Sequence, residues 1–111
     1  MSRYLLVLVL FLSSCVSSST HVVSWVVDGD TFYVSDLDAS VRILNVDAPE
    51  LPSVQGQDAL SFLIDLIHDE VVTLQCDGLD VYGRHLCLVF LDGVDVGGSL
   101  VSSGHARPWV D

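Results

Sequence analysis

One segment of this chain carries a clear helical period, and the segments around it do not. Between Gln57 and Asp69 the apolar residues fall at 59, 62, 63, 66 and 67. That is the i, i+3, i+4, i+7, i+8 spacing of a half-buried helix. Asp58, Ser61, Asp65 and Asp69 take its outer face, while Leu60 and Ile64 widen the apolar stripe and imply packing on two sides. The flanking runs His21–Val27, Thr31–Ser35 and Val41–Val46 before it, and Val71–Cys76 and Leu86–Leu91 after it, are short and rich in valine, leucine and aromatics. They read as strands, punctuated by Asp-Gly turn signals at 28–29, 77–78 and 92–93. Val94–Gly104 reads as a weak second helix, damaged by Gly97-Gly98.

The order is therefore three strands, a helix, two strands and a short terminal helix. A chain of 111 residues has room for one domain. The order fits an α+β, mainly β architecture: a small closed five-stranded barrel of the OB type, with a helix inserted after the third strand. The barrel domain is expected to span residues 21–111.

The first residues point to targeting instead. Arg3 precedes an apolar run, Tyr4–Leu12, far short of the roughly 20 residues a membrane span requires. Residues 1–14 read as a secretory signal, and Leu12-Ser13-Ser14-Cys15 resembles the lipobox at which a bacterial lipoprotein is cut and its cysteine lipidated. Ordinary cleavage between Ser13 and Ser19 is the other reading. Residues 15–20 are serine-rich and read as a flexible tether. The expected location is exported, either periplasmic or at the cell surface, with Cys15 as a lipid anchor. Cys76 and Cys87 then remain, an even pair in an oxidising compartment, at equal distance from the midpoint of a turn-rich segment. A symmetric hairpin would set them opposite each other at a spacing slightly above that of a disulfide, so a bridge requires a favourable pair type. Two thiols packed as small hydrophobes are the alternative.

Charge is lopsided: four arginines, no lysine, and fifteen acids for a net charge of -11. Such a surface repels polyanions at long range and argues against a simple electrostatic nucleic-acid binder. Against that background the stretch Arg42-Ile43-Leu44-Asn45-Val46-Asp47-Ala48-Pro49-Glu50 stands out. Arg42 lies inside an apolar strand, where a guanidinium requires a partner: an aspartate in a structural ion pair, or a phosphate. Asp30 opens the second strand and Asp47 closes the third, so hard oxygen ligands of the kind Ca²⁺ takes would meet at one end of neighbouring strands. Residues 42 and 47 differ by an odd number and face opposite sides of a straight strand. They converge only if the chain bends near Asn45–Asp47. Asp28 is equally well read as a turn residue. Tyr82-Gly83-Arg84 would offer a ring to a base and a guanidinium to a phosphate.

Three segments in this order resemble the staphylococcal nuclease (thermonuclease) family: Val27–Thr31, Arg42–Glu50 and Asp80–Arg84. Gly104-His105-Ala106-Arg107-Pro108 is similar to a common C-terminal pattern of that family. The resemblance runs from about Val22 to Trp109. It implies an OB barrel and Ca²⁺-dependent hydrolysis of phosphodiester bonds in DNA and RNA, with little sequence specificity and 3′-phosphate products. It implies Asp30, Asp47 and the backbone carbonyl of Ala48 as Ca²⁺ ligands. Arg42 and Arg84 would be phosphate-binding catalytic residues, Glu50 the residue that handles the attacking water, and Tyr82 a substrate contact. Single-stranded or frayed DNA and RNA are the implied substrates, and a monomer is expected.

Two positions depart from the family pattern: Ala48 stands where threonine is common, and Val81 where lysine often precedes the tyrosine. A catalytically inactive OB module that binds nucleic acid or protein is the rival reading. An acidic Ca²⁺-binding surface lipoprotein is a third. Retention of Arg42, Glu50 and Arg84 together favours the enzyme.

Overall fold

The computed structural model describes residues 17–110. Residues 1–14, read as a signal, and Cys15 lie outside them. Ten elements follow in chain order: β1 (Ser18–Asp28), β2 (Thr31–Val34), β3 (Val41–Ile43), β4 (Val46–Asp47), α1 (Val54–Ile67), β5 (Val71–Leu79), β6 (His85–Leu91), β7 (Val94–Asp95), α2 (Val96–Ser102) and β8 (Arg107–Pro108). The main sheet runs β3-β2-β1-β5-β6, and a parallel pairing of β3 with β6 closes it into a five-stranded barrel. Closure removes the sheet edges, and the two helices cap what remains open. The expected OB-type barrel, with its helix after the third barrel strand, is the fold observed.

The barrel interior is aliphatic. Val23, Phe32, Val41, Ile43, Val72, Leu74 and Val89 are all buried, and Leu63 and Ile67 of α1 join them. Each such side chain contributes about 1.5–3 kcal/mol on burial. The helical period holds: Ala59, Leu63 and Ile67 are buried, while Phe62 and Leu66 pack partly against the core.

The element ends differ from the sequence reading in ways that matter. Helix α1 begins three residues earlier than Gln57, because Ser53 caps it by accepting the Gly56 N–H at 3.0 Å. It ends at Ile67, with Asp69 in the left-handed region at φ 63°. Ser18–Thr20, expected in the tether, belong to β1 and pair with Thr73–Gln75 of β5. Serine-rich composition signals flexibility only where no strand lies alongside. Here the neighbouring His21 also anchors the segment: its Nδ1–H donates to Asp36 at 2.7 Å, and Nε2 meets the Ser19 hydroxyl at 2.6 Å. The Asp-Gly turn at 28–29 is shifted by one residue: Asp28 pairs with Thr31, so Gly29 and Asp30 form the turn. Finally, the run read as one strand from Val41 to Val46 is two. Asn45 adopts φ 68° and divides β3 from β4.

Cys76 and Cys87 face each other across β5 and β6 and are bonded, with an S–S distance of 1.99 Å. The bond sits at the base of the hairpin that carries Tyr82 and Arg84.

Candidate functional site

The β1–β2 turn delivers Asp30 to the barrel mouth. Asp28 Oδ1 accepts the Asp30 N–H at 3.0 Å, a local turn bond of the kind aspartate favours. The turn is pressed against its surroundings. A Cβ on Gly29 would lie 2.6 Å from that of Ala59 and 2.7 Å from that of Ala48. Only glycine lets the turn approach both the helix and the following turn this closely.

Asp30 itself is buried. Its Oδ2 accepts the Ala48 N–H at 2.9 Å, and its Oδ1 accepts the Thr31 hydroxyl at 3.2 Å. Burial pushes its carboxyl from the ordinary 3.8 up to about 6, with the neighbouring Asp28 adding to the rise. The Ala48 N–H and the Arg42 guanidinium work in the opposite direction.

Arg42 is half-buried on β3. Its Nη1 donates to the carbonyls of Ile43 and Val46, and Nη2 lies 3.4 Å from Asp30 Oδ2 and 3.7 Å from Asp47 Oδ1. The left-handed turn at Asn45 reverses the face on which the following residues project. That is how Arg42 and Asp47, on opposite sides of a straight strand, come to share one. Asparagine is among the few non-glycine residues for which that conformation costs little.

Arg84 lies just before β6, the strand paired with β3; its Nε donates to Asp80 Oδ2 at 2.6 Å, and Nη1 reaches the Thr31 hydroxyl at 3.5 Å. Asp80 Oδ1 accepts the backbone N–H groups of Tyr82 and Arg84. Desolvation tends to raise the Asp80 carboxyl, but these bonds and the guanidinium outweigh it and hold it below 3.8. The exposed Tyr82 ring lies under Arg84, 5.3 Å from the guanidinium carbon. Asp80 thus aims Arg84 toward Asp30 through Thr31. The sequence reading did not single out Asp80 or Thr31 for these roles, although both fall inside the motifs.

Glu50 is exposed and lines a cleft of about 540 Å³ together with Asp47, Ala48, Pro49 and residues 104–107. Its backbone is fixed more firmly than its side chain. The Glu50 carbonyl accepts the Ser53 N–H at 3.2 Å and the Ser53 hydroxyl at 2.6 Å. Gly56 packs directly beneath it; a Cβ there would lie 2.4 Å from the Glu50 oxygen. The sequence reading starts the helix at Gln57 and leaves Gly56 unassigned.

One participant was missed altogether. Strand β8 pairs with β4 and sets Arg107 opposite Asp47. Arg107 Nε and Nη2 both donate to Asp47 Oδ2, at 3.1 and 3.0 Å. Arg42, Arg84 and Arg107 are the only arginines among the described residues, and lysine is absent from the chain. All three meet in one connected network around Asp30 and Asp47.

As a metal site the donor chemistry is hard oxygen throughout, with Asp30, Asp47 and Ala48 adjacent. A buried carboxyl pushed toward protonation would be relieved by a divalent cation, so these residues fit one. Among the described residues no cluster of three or more His, Cys, Asp or Glu side chains is placed to hold a metal. Water or substrate would have to supply the remaining ligands.

Fold and site define a small OB-type barrel with an arginine–aspartate network at its mouth. The sequence model of the staphylococcal nuclease homologues matches residues 40–110. A protein of Escherichia coli, described as an uncharacterized endonuclease, is 37% identical over 110 residues, covering 93% of this chain and 70% of that protein. A Haemophilus influenzae protein of the same description is 31% identical over 106 residues, covering 92% of this chain and 60% of the relative. A probable staphylococcal-like nuclease of Oryza sativa is 32% identical over 66 residues, 60% of this chain and 13% of the relative. The chain belongs to the staphylococcal nuclease family.

Proposed function

We propose that the protein is an exported Ca²⁺-dependent nuclease that hydrolyses DNA and RNA phosphodiester bonds to 3′-phosphate products. The observation that carries this reading is that Arg42 and Arg107 both hold Asp47, while Arg84 reaches toward Asp30 through Thr31, in a chain of net charge -11. Scattered arginines would serve solubility. Arginines gathered at one mouth make a local anion site on a surface that otherwise repels anions.

In this reading Arg42 on β3 and Arg84 just before β6 grip the equatorial oxygens of the scissile phosphate and stabilise charge as it builds there. Glu50, on the solvent side of the cleft, takes the proton of the attacking water. Its exposed carboxylate lies on a backbone locked to Ser53, so it is free to turn without drifting. Asp30, Asp47 and the Ala48 carbonyl would hold Ca²⁺, which when bound would neutralise a non-bridging phosphate oxygen. Tyr82 offers an exposed ring for a base to stack on. The bonded Cys76 and Cys87 support an oxidising compartment, and the signal-like residues 1–14 followed by Cys15 support export with a lipid anchor.

The rival is a non-catalytic OB module. The lack of a three-group metal cluster among the described residues is the observation that favours it. Incubation of single-stranded DNA and RNA with the protein, in Ca²⁺ or in chelator, separates the two. Cleavage in Ca²⁺ alone is expected, reduced about 10²–10⁴-fold in Glu50→Gln and about 10²–10³-fold in Arg84→Ala. Equal cleavage in every condition, or none in any, would sink the enzyme reading.

A further inference from the structure

We propose that Arg107 is a metal-released phosphate-binding residue. It is tied to Asp47, and would be freed to a substrate phosphate when Asp47 takes up a divalent cation. The inference rests on the nuclease reading above and adds to it a third arginine, together with a coupling between metal and substrate.

The argument begins with who holds Asp47. Its Oδ2 accepts both N–H groups of Arg107, while Oδ1 faces Arg42 at 3.7 Å. Two guanidinium groups therefore occupy the carboxylate that a metal would require. The two ties are unequal. The Arg42 side chain is 15% exposed and bonded to two backbone carbonyls, so it cannot leave without stranding buried polar groups. The Arg107 side chain is 71% exposed and both of its side-chain hydrogen bonds go to one oxygen. An exposed pair of this kind is worth little, so Arg107 is the one that yields.

A cation at Asp47 would both take the oxygen and repel the guanidinium. Arg107 would not then be lost to solvent. Its backbone is held in β8 by pairing with β4, and the Trp109 N–H donates to the Asn45 carbonyl at 2.8 Å. Its guanidinium carbon lies 5.7 Å from the Trp109 ring, a face that retains a cation beside the cleft. The cleft is the one lined by Ala48 and Glu50, where the scissile phosphate would lie.

Linkage then requires reciprocity. If metal weakens the Arg107–Asp47 tie, that tie weakens metal binding, and a phosphate that captures Arg107 must tighten it. Metal and substrate are coupled through one side chain. Such coupling suits an exported enzyme, because a phosphate-bearing ligand would then help to load the metal.

Calorimetric titration of Ca²⁺ into the purified protein tests this without reference to cleavage, with a nucleoside 5′-monophosphate as the phosphate probe. Arg107→Gln is expected to bind Ca²⁺ about two- to fivefold more tightly than wild type. In saturating Ca²⁺ it should bind the nucleotide about tenfold more weakly. Arg107→Lys keeps the charge without the two-pronged geometry, and should stay near wild type in Ca²⁺ affinity. Circular dichroism on both variants establishes that the barrel is intact. If Arg107→Gln binds Ca²⁺ no more tightly than wild type, or the nucleotide equally well, the proposal fails while the nuclease reading stands. If wild type binds no Ca²⁺, both fail together.

Discussion

Arg42 and Arg107 hold the same aspartate from opposite sides, yet they are different kinds of residue. Arg42 is sunk into the barrel mouth, bonded to the carbonyls of Ile43 and Val46 and within ion-pair reach of Asp30 and Asp47. Arg107 is mostly in solvent, hydrogen-bonded through its side chain to Asp47 and resting beside the Trp109 ring. Burial makes the first a structural member that also presents charge, because its removal leaves buried acceptors and carboxylates unpaired. Exposure makes the second exchangeable. Arg84 falls between them: half-buried, it is aimed by Asp80 and touches Asp30 only through Thr31. Depth in the mouth thus ranks the three arginines by how much of the fold each one carries.

The largest effect should come from Arg42→Ala. Breaking a buried pair from one side costs about 3–5 kcal/mol, so urea denaturation should show a marked loss of stability alongside loss of cleavage. Arg84→Ala, by contrast, should cost no more than about 1 kcal/mol, as for a partly exposed ion pair, while cleavage falls. Equal destabilisation by both would break the ranking by depth.

The next effect concerns the acid that Arg42 partly compensates. The Asp30 carboxyl is raised from 3.8 to about 6 by burial. The folded state therefore binds its proton more tightly than the unfolded state does. This stabilises the fold below about pH 4, and the stabilisation is lost as pH rises through 6. In metal-free protein, Asp30→Asn should match wild type near pH 3 and exceed it at pH 7 by up to roughly 3 kcal/mol. Added Ca²⁺ should then stabilise wild type and not the variant. Thermal melts across that pH range read both outcomes, and a variant less stable than wild type at pH 7 would show that the Ala48 and Thr31 bonds outweigh desolvation.

The smallest effect sharpens the contrast between backbone and side chain at Glu50. Gly56→Ala would press a methyl group into the Glu50 carbonyl, and overpacking of this kind costs about 1–3 kcal/mol. Displacing Glu50 should lower kcat by as much as about 10²-fold. Unchanged kcat in a folded variant would mean that the carboxylate finds its place without that packing.

Much of this was legible beforehand, for a physical reason. Helical period, strand runs and order of elements report the environment of single elements, and local sequence determines them. The OB-type barrel followed from them. The bend at Asn45 was also legible, because parity alone forbade Arg42 and Asp47 from meeting on a straight strand. What was illegible lay between elements. Ser18–Thr20 look like a tether until β5 lies beside them. Gly56 has no assignment until the Glu50 carbonyl is seen resting on it. Arg107 sat in a motif with no role until β8 paired with β4.

The sequence by itself determined the set of elements and the family, and through that resemblance it nominated Asp30, Arg42, Asp47, Glu50, Tyr82 and Arg84 as the residues to test. It could do so because each lies in a short motif whose neighbours explain it. Only the tertiary structure decided that Arg107 joins them, 60 residues from Asp47 along the chain. It also decided which arginine is fixed and which can let go. Those are questions of depth and of contact across the barrel mouth, and no stretch of sequence holds both partners at once.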